Sequence, residues 1–278
     1  MKHTLKLGHS PDADDAFMFY GISTGQITGK SVSFVEELHD IETLNRRAAE
    51  GTIDITAVSA AAYPFIQDKY LLLSHGASCG EGYGPVLIRK AGDAAADPAK
   101  TVVAIPGEKT TAALALRLHY PGIKTAVVPF NEIMNAVSSG RFKLGLIIHE
   151  GQLTYKDKGF ESVCDLGVWW QEETKTPLVL GLNAIRRNLP PEVLKESDEL
   201  LEASIRYALE HREEALTFAM KYSGGLSRAL ADRFVGMYVN GLTQSLSAQG
   251  RKGLDLLYAR GIKTGLLPAT ARVEFVRG

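Results

Sequence analysis

Short apolar runs alternate along the chain with stretches of helical spacing, the pattern of an α/β protein whose strands are joined by crossover helices. Residues 5–8 read as a first strand and 15–20, stopped by Gly21, as a short helix. A second strand covers 53–58 and leads into 59–63. The glycine-rich passage 76–84 precedes the apolar run 85–88, and the polar, alanine-rich stretch 90–100 reads as a surface connection. The pattern then restarts with a strand at 101–105, a helix at 110–119, a strand at 126–129, a helix at 131–138 and a short apolar strand from Leu144. A long extended run follows at 178–185, and the last third is mostly helical, over 191–211, 213–222, 227–240 and 247–260. These elements predict two α/β lobes joined by extended crossings near 85–89 and 181–185, with a ligand cleft between them. The expected division is 1–88 plus 184–278 for lobe 1 and 89–183 for lobe 2.

Composition narrows the function classes. A chain of 278 residues that is 45% hydrophobic can bury a sizeable core in two modest domains. Its 31 Lys plus Arg balance 32 Asp plus Glu, so no net field draws it to nucleic acid or another polyanion. No apolar stretch approaches membrane-spanning length, and the start has no secretory pattern, so a cytoplasmic protein is expected. Cys79 and Cys164 lie far apart without metal-type spacing, which fits a reduced compartment. No metal site is expected.

In open α/β sheets ligands bind beyond the carboxyl ends of strands, so polar residues at strand ends are the candidates for chemistry. After the first strand, Ser10 and Asp14 are helix caps or ligand contacts. Ser59, after Ala57 and Val58, offers a hydroxyl and nearby backbone N–H groups. The turn at 105–112 opens a helix with Thr110 and Thr111, and free N–H groups there suit a carboxylate or phosphate. The glycine spacing is not that of a nucleotide-triphosphate loop. At the fourth strand end stands His149, whose imidazole titrates near neutrality and suits a general base. Glu150 beside it points to the opposite face of an extended strand, so an acidic residue elsewhere, in the Asp12 to Asp15 loop for example, is the candidate orienting partner. Trp170, with Trp169 and Tyr155, offers a flat wall for an aromatic ligand, or core packing. No Gly-x-Ser-x-Gly elbow supports a hydrolase.

Several of these segments together resemble one family. Leu7-Gly-His-Ser-Pro11 with Asp15 and Phe17-Met-Phe-Tyr20, Glu42-Thr-Leu-Asn45, Ser59 with Ala61-Ala-Tyr63, Pro106-Gly107 with Thr110-Thr-Ala112, Leu146-Ile-Ile-His-Glu150, Asp165-Leu-Gly167 with Trp169-Trp170, and Tyr238-Val-Asn240 are similar to the 1,4-dihydroxy-6-naphthoate synthase family of the futalosine route to menaquinone. The resemblance runs over nearly the whole chain. It implies a fold like type II periplasmic binding proteins and a lyase that releases 1,4-dihydroxy-6-naphthoate from cyclic dehypoxanthine futalosine, a reaction driven by aromatisation. It implies His149 as proton acceptor, Thr110 and Thr111 as substrate contacts, Ala57-Val58-Ser59 as a backbone-rich binding turn, and no metal or redox cofactor. The partner is then a small aromatic carboxylate, with a monomer and a homodimer both open. Family members commonly read Ser-Pro-Cys-Pro-Asn-Asp-Thr in the first loop, where this chain reads Ser10-Pro-Asp-Ala-Asp-Asp-Ala16, and the added carboxylates are expected to repel an anion placed against them. A solute-binding protein without catalysis and a chorismate dehydratase are the alternative readings on the same fold.

Overall fold

A computed structural model describes residues 2–276 of the chain. In β1 (His3–His9) Leu5 and Leu7 are buried while Thr4 and Lys6 face water, until the last three residues are all covered. That change along one strand marks where other elements close over its carboxyl end. α1 (Ala13–Met18) and α2 (Tyr20–Ser23) follow. The helix therefore starts two residues before the expected 15–20, with Asp12 at its N-cap position. β2 (Val32–Leu38) and α3 (Ile41–Glu50) then lead to β3 (Ile55–Ser59). The apolar pattern does not mark β2, because only Val32 of its seven residues is buried. It pairs with β1 alone, as an edge strand.

β4 (Tyr70–Leu72) and β5 (Ser78–Gly80) complete the outgoing part of the first sheet, and the chain crosses into β6 (Val86–Lys90). There follow β7 (Val102–Ile105), α4 (Thr111–His119), β8 (Lys124–Val127), α5 (Ile133–Ser138), β9 (Leu144–Ile147), α6 (Gly151–Thr154), β10 (Phe160–Asp165) and α7 (Leu166–Thr174). β11 (Leu178–Arg186) returns to the first sheet. α8 (Pro191–Glu210), α9 (Arg212–Ala219), α10 (Arg228–Tyr238), α11 (Gly241–Gln244) and α12 (Ala248–Lys263) finish the fold. The strand orders are β2-β1-β3-β11-β4, with β5 also on β11, and β10-β6-β9-β7-β8. Pairing is parallel around β1 and β7 and antiparallel along β6 and β11.

The architecture is the expected α/β, two-lobed one, but the sheet boundaries differ from the sequence reading. Residues 86–88, assigned to lobe 1, pair with β9 and β10 in the second sheet. Residues 178–183, assigned to lobe 2, pair with β3 and β5 in the first. Apolar runs mark that a segment is a strand; which sheet it joins is decided by long-range pairing. The outgoing crossing runs close to the start of α7, where a Cβ on Gly167 would fall 1.9 Å from the Tyr83 carbonyl oxygen.

α4 joins the two halves. Thr111 through Leu116 are all buried, and the helix packs on β11, α7 and α12. One apolar cluster consequently runs from Val58 in the first sheet through Leu116 to Leu87 and Ile105 in the second. A separate core under the first sheet holds Leu5, Phe17, Ile205 and Phe234. Among the described residues, no helix is long and apolar enough to cross a membrane.

Candidate active site

The carboxyl ends of β1, β3, β7 and β9 converge on a cavity between the lobes with an empty volume of about 760 Å³, counting its open mouth. β1 supplies Ser10 and the turn with Asp12, Asp14 and Asp15. β3 supplies Ala57, Val58 and Ser59; the start of α4, beyond β7, supplies Thr110 and Thr111; and Ile148 and His149 follow β9. Leu180 and Asn183 of β11 and Phe234 and Tyr238 of α10 close the remaining sides.

Asp12 stands where an N-cap side chain normally turns back on the helix, yet it makes no cap hydrogen bond. Its Oδ2 instead lies 2.7 Å from His149 Nδ1 and accepts the Ser10 hydroxyl at 2.5 Å. Neither Ser10 nor Asp14 caps the helix. The Ser10 N–H donates to Asp15 Oδ2 at 2.7 Å, which ties the loop back onto α1. His149 has φ 58°, a left-handed conformation unusual outside glycine. The Phe130 ring sits edge-on to the imidazole at 4.8 Å, and Nε2 is a buried nitrogen with no hydrogen-bond partner among the described residues.

The electrostatics follow from burial and this pairing. Burial opposes the charged imidazolium, but the Asp12 carboxylate, supported by Glu150 and Asp14, outweighs it and pushes the His149 pKa up to about 9. Burial likewise works against ionised Asp12, and the charge and hydrogen bond of His149 with that of Ser10 overcome it and hold Asp12 below the usual carboxylate range. Asp14 has no such partner. Burial, then Asp15 and Asp12, drive it well above the usual range. The loop therefore carries less negative charge than its three aspartates suggest, and the repulsion expected of it is reduced.

The other candidates are placed less simply. Ala57, Val58 and Ser59 form a strand and not a turn, with one edge paired to Asn183, Leu182 and Gly181. Ser59 Oγ accepts Asn45 Nδ2 at 3.0 Å while its N–H donates to Asn45 Oδ1 at 2.9 Å, leaving the hydroxyl hydrogen without an acceptor among the described residues. The Thr110 hydroxyl caps α4 by accepting the Ala113 N–H at 3.2 Å, and donates to Gly107 O. The Thr111 hydroxyl donates to Leu180 O at 2.6 Å and accepts the Ala61 N–H at 3.1 Å. Both hydroxyls are committed within the protein. The N–H groups of Thr111 and Ala112 make no hydrogen bond among the described residues, so the anion-binding capacity of this turn lies in its backbone.

Trp170 does not line the cavity. It is fully buried in the α4 cluster, with Nε1 donating to Pro177 O at 3.1 Å, because its face of α7 packs into the core. Gln152, Asn183 and Tyr238 line the cavity without having been singled out as ligands. Asn183 had a readable signal, a lone amide inside the apolar run 178–185.

Comparison with known proteins places the chain in a family. A family model described as menaquinone biosynthesis covers residues 5–263. The chain belongs to this menaquinone biosynthesis family. A family relative from Thermus thermophilus, named 1,4-dihydroxy-6-naphthoate synthase, is 36% identical over 98% of this chain and 99% of its own. One of the same name from Streptomyces coelicolor is 34% identical over 96% of this chain and 95% of its own. The crystal structure of protein AF1704 from Archaeoglobus fulgidus superposes with a TM-score of 0.90 at 44% identity, covering 95% of this chain and 99% of that one. The alkanesulfonate-binding protein SsuA from Xanthomonas axonopodis pv. citri shares the fold of this family member, with a TM-score of 0.72 at 13% identity over 96% of each chain.

Proposed function

We propose that this protein is a lyase that converts cyclic dehypoxanthine futalosine to 1,4-dihydroxy-6-naphthoate in menaquinone biosynthesis, with His149 as general base. The observation that carries this reading is the His149 imidazole in the cleft, its Nδ1 held by Asp12 and its Nε2 left unpartnered. The tautomer imposed by Asp12 leaves Nε2 as the nitrogen that takes the substrate proton. A pKa near 9 means that roughly 1% of the imidazole is neutral at pH 7, a scarcity partly offset by the greater basicity of that fraction.

The remaining groups suit an aromatic carboxylate. The free Thr111 and Ala112 N–H groups at the start of α4 receive its carboxylate, and the Ser59 hydroxyl donates to a substrate oxygen. Leu180 and Phe234 give the ring an apolar surface. With aromatisation supplying the driving force, the protein needs chiefly a positioned base, orientation and exclusion of water. The test is incubation of the purified chain with the cyclic compound and mass spectrometry for the naphthoate. Product is expected, and His149→Ala is expected to lose turnover by about 10² to 10⁴ with an unchanged circular dichroism spectrum. A folded protein that binds the compound and releases no naphthoate overturns the lyase reading.

A further inference from the structure

We infer that Asp12 is the positioning residue for His149, reaching from one lobe to the other to fix the imidazole over the cleft. The inference rests on the lyase reading for its kinetic consequence but on geometry for the contact itself. Asp12 precedes α1 in the first lobe, and His149 follows β9 in the second. Their carboxylate and imidazole meet at 2.7 Å, with Asp12 4% exposed.

Three features make this a built arrangement. Asp12 forgoes the cap bond that its position offers and turns its side chain to the imidazole. The Ser10 hydroxyl holds the same carboxylate oxygen, so the acceptor is itself oriented before His149 is counted. On the other side, the left-handed backbone at His149 turns the ring out of the line of β9, and Phe130 supports it edge-on. Strain of this kind persists only where surrounding contacts hold it.

The charged groups around the pair come from both lobes. Asp14 and Asp15 of α1 and Glu150 beside His149 are the further carboxyls around the pair, each raised above its ordinary range, and His9 of β1 also acts on Asp12. Asp12 alone among these is within hydrogen-bond distance of the ring. Because the partners belong to different lobes, the pair exists only while the lobes are together, and the alignment of the base is tied to closure.

Two readouts test this. In full-length protein with isotope-labelled histidine, the His149 signal, assigned by its loss in His149→Gln, is expected to titrate near pH 9. In Asp12→Asn the midpoint is expected to fall by about one pH unit or more, because the desolvated ring keeps its burial and loses its counter-charge. In turnover, Asp12→Asn is expected to lower the plateau kcat by about 10- to 10³-fold with KM within about threefold, and to move the rising limb of the pH profile to lower pH. Asp12→Glu restores part of kcat. Asp12→Ser serves as the second variant where Asp12→Asn melts early. An unchanged His149 midpoint in the folded variant, or wild-type kcat without the carboxylate, overturns the inference. Wild-type protein that forms no naphthoate defeats the lyase reading by itself, and the two midpoints still decide the role of Asp12.

Discussion

Residue by residue, the site is governed by what burial does to charge. His149 is raised from 6.5 to about 9, so the folded state holds its proton more tightly than the unfolded chain. The stabilisation from this proton is complete below about pH 6.5, declines as the pH climbs, and is lost on passing through 9. Thermal melts between pH 7 and 10 are therefore expected to show a falling Tm, with a shallower fall in His149→Gln. The same titration limits the base: kcat/KM should rise with pH toward about 9, and a flat profile from pH 6 to 9 removes His149 as the titrating base. Asp14 makes a separate prediction. Its carboxyl is pushed well above the usual carboxylate range by burial and by Asp15 and Asp12, and it lines the cavity. The affinity for an aromatic carboxylate should fall as rising pH ionises Asp14, and calorimetric titrations of Asp14→Asn should show a flatter dependence. An identical slope in the two proteins would refute that account.

Among the elements, α4 has the heaviest double duty. Its first turn offers free N–H groups to the cleft, while Thr111 bonds Leu180 O and the Ala61 N–H across to the first lobe. Thr111→Val leaves the buried Ala61 N–H without a bond, at a cost of about 1–3 kcal/mol, while Leu180 O keeps the Ala60 N–H. Thr110→Ala removes a helix cap, worth about 1 kcal/mol, and a bond to Gly107 O, which keeps the Thr110 N–H. Urea unfolding should rank the two variants in that order. α1 shows the opposite economy, since Asp12 withholds its cap from the helix in favour of His149. β2 shows the limit of pattern reading, because an edge strand with one buried residue carries almost no apolar signal.

At the scale of the molecule, the lobes are held together by the continuous core around α4 and by further contacts between them, among them Leu153 of α6 packed on the core under the first sheet. The Tyr238 hydroxyl donates to Gln152 Oε1 at 2.7 Å, and the Glu42 carboxylate lies against Gly107, where a side chain would collide with it at 2.1 Å. Tyr238→Phe removes one neutral hydrogen bond between α10 and α6. It is expected to raise KM about 2- to 10-fold, leave kcat within about twofold, and increase the ligand-free radius of gyration in solution scattering. An unchanged KM and radius would show that this contact does not hold the cleft. The sequence alone determined the alternating α/β elements, the polar strand ends that meet at the cleft and the prominence of His149 among them, because periodicity and local punctuation are written in neighbouring residues. Only the tertiary structure decided that residues 86–88 and 178–183 exchange sheets, that Trp170 belongs to the core, that both threonine hydroxyls are already spent, and that Asp12 is the partner of His149. Each of these is a contact between segments distant in the chain, fixed by pairing and packing to which no local pattern points.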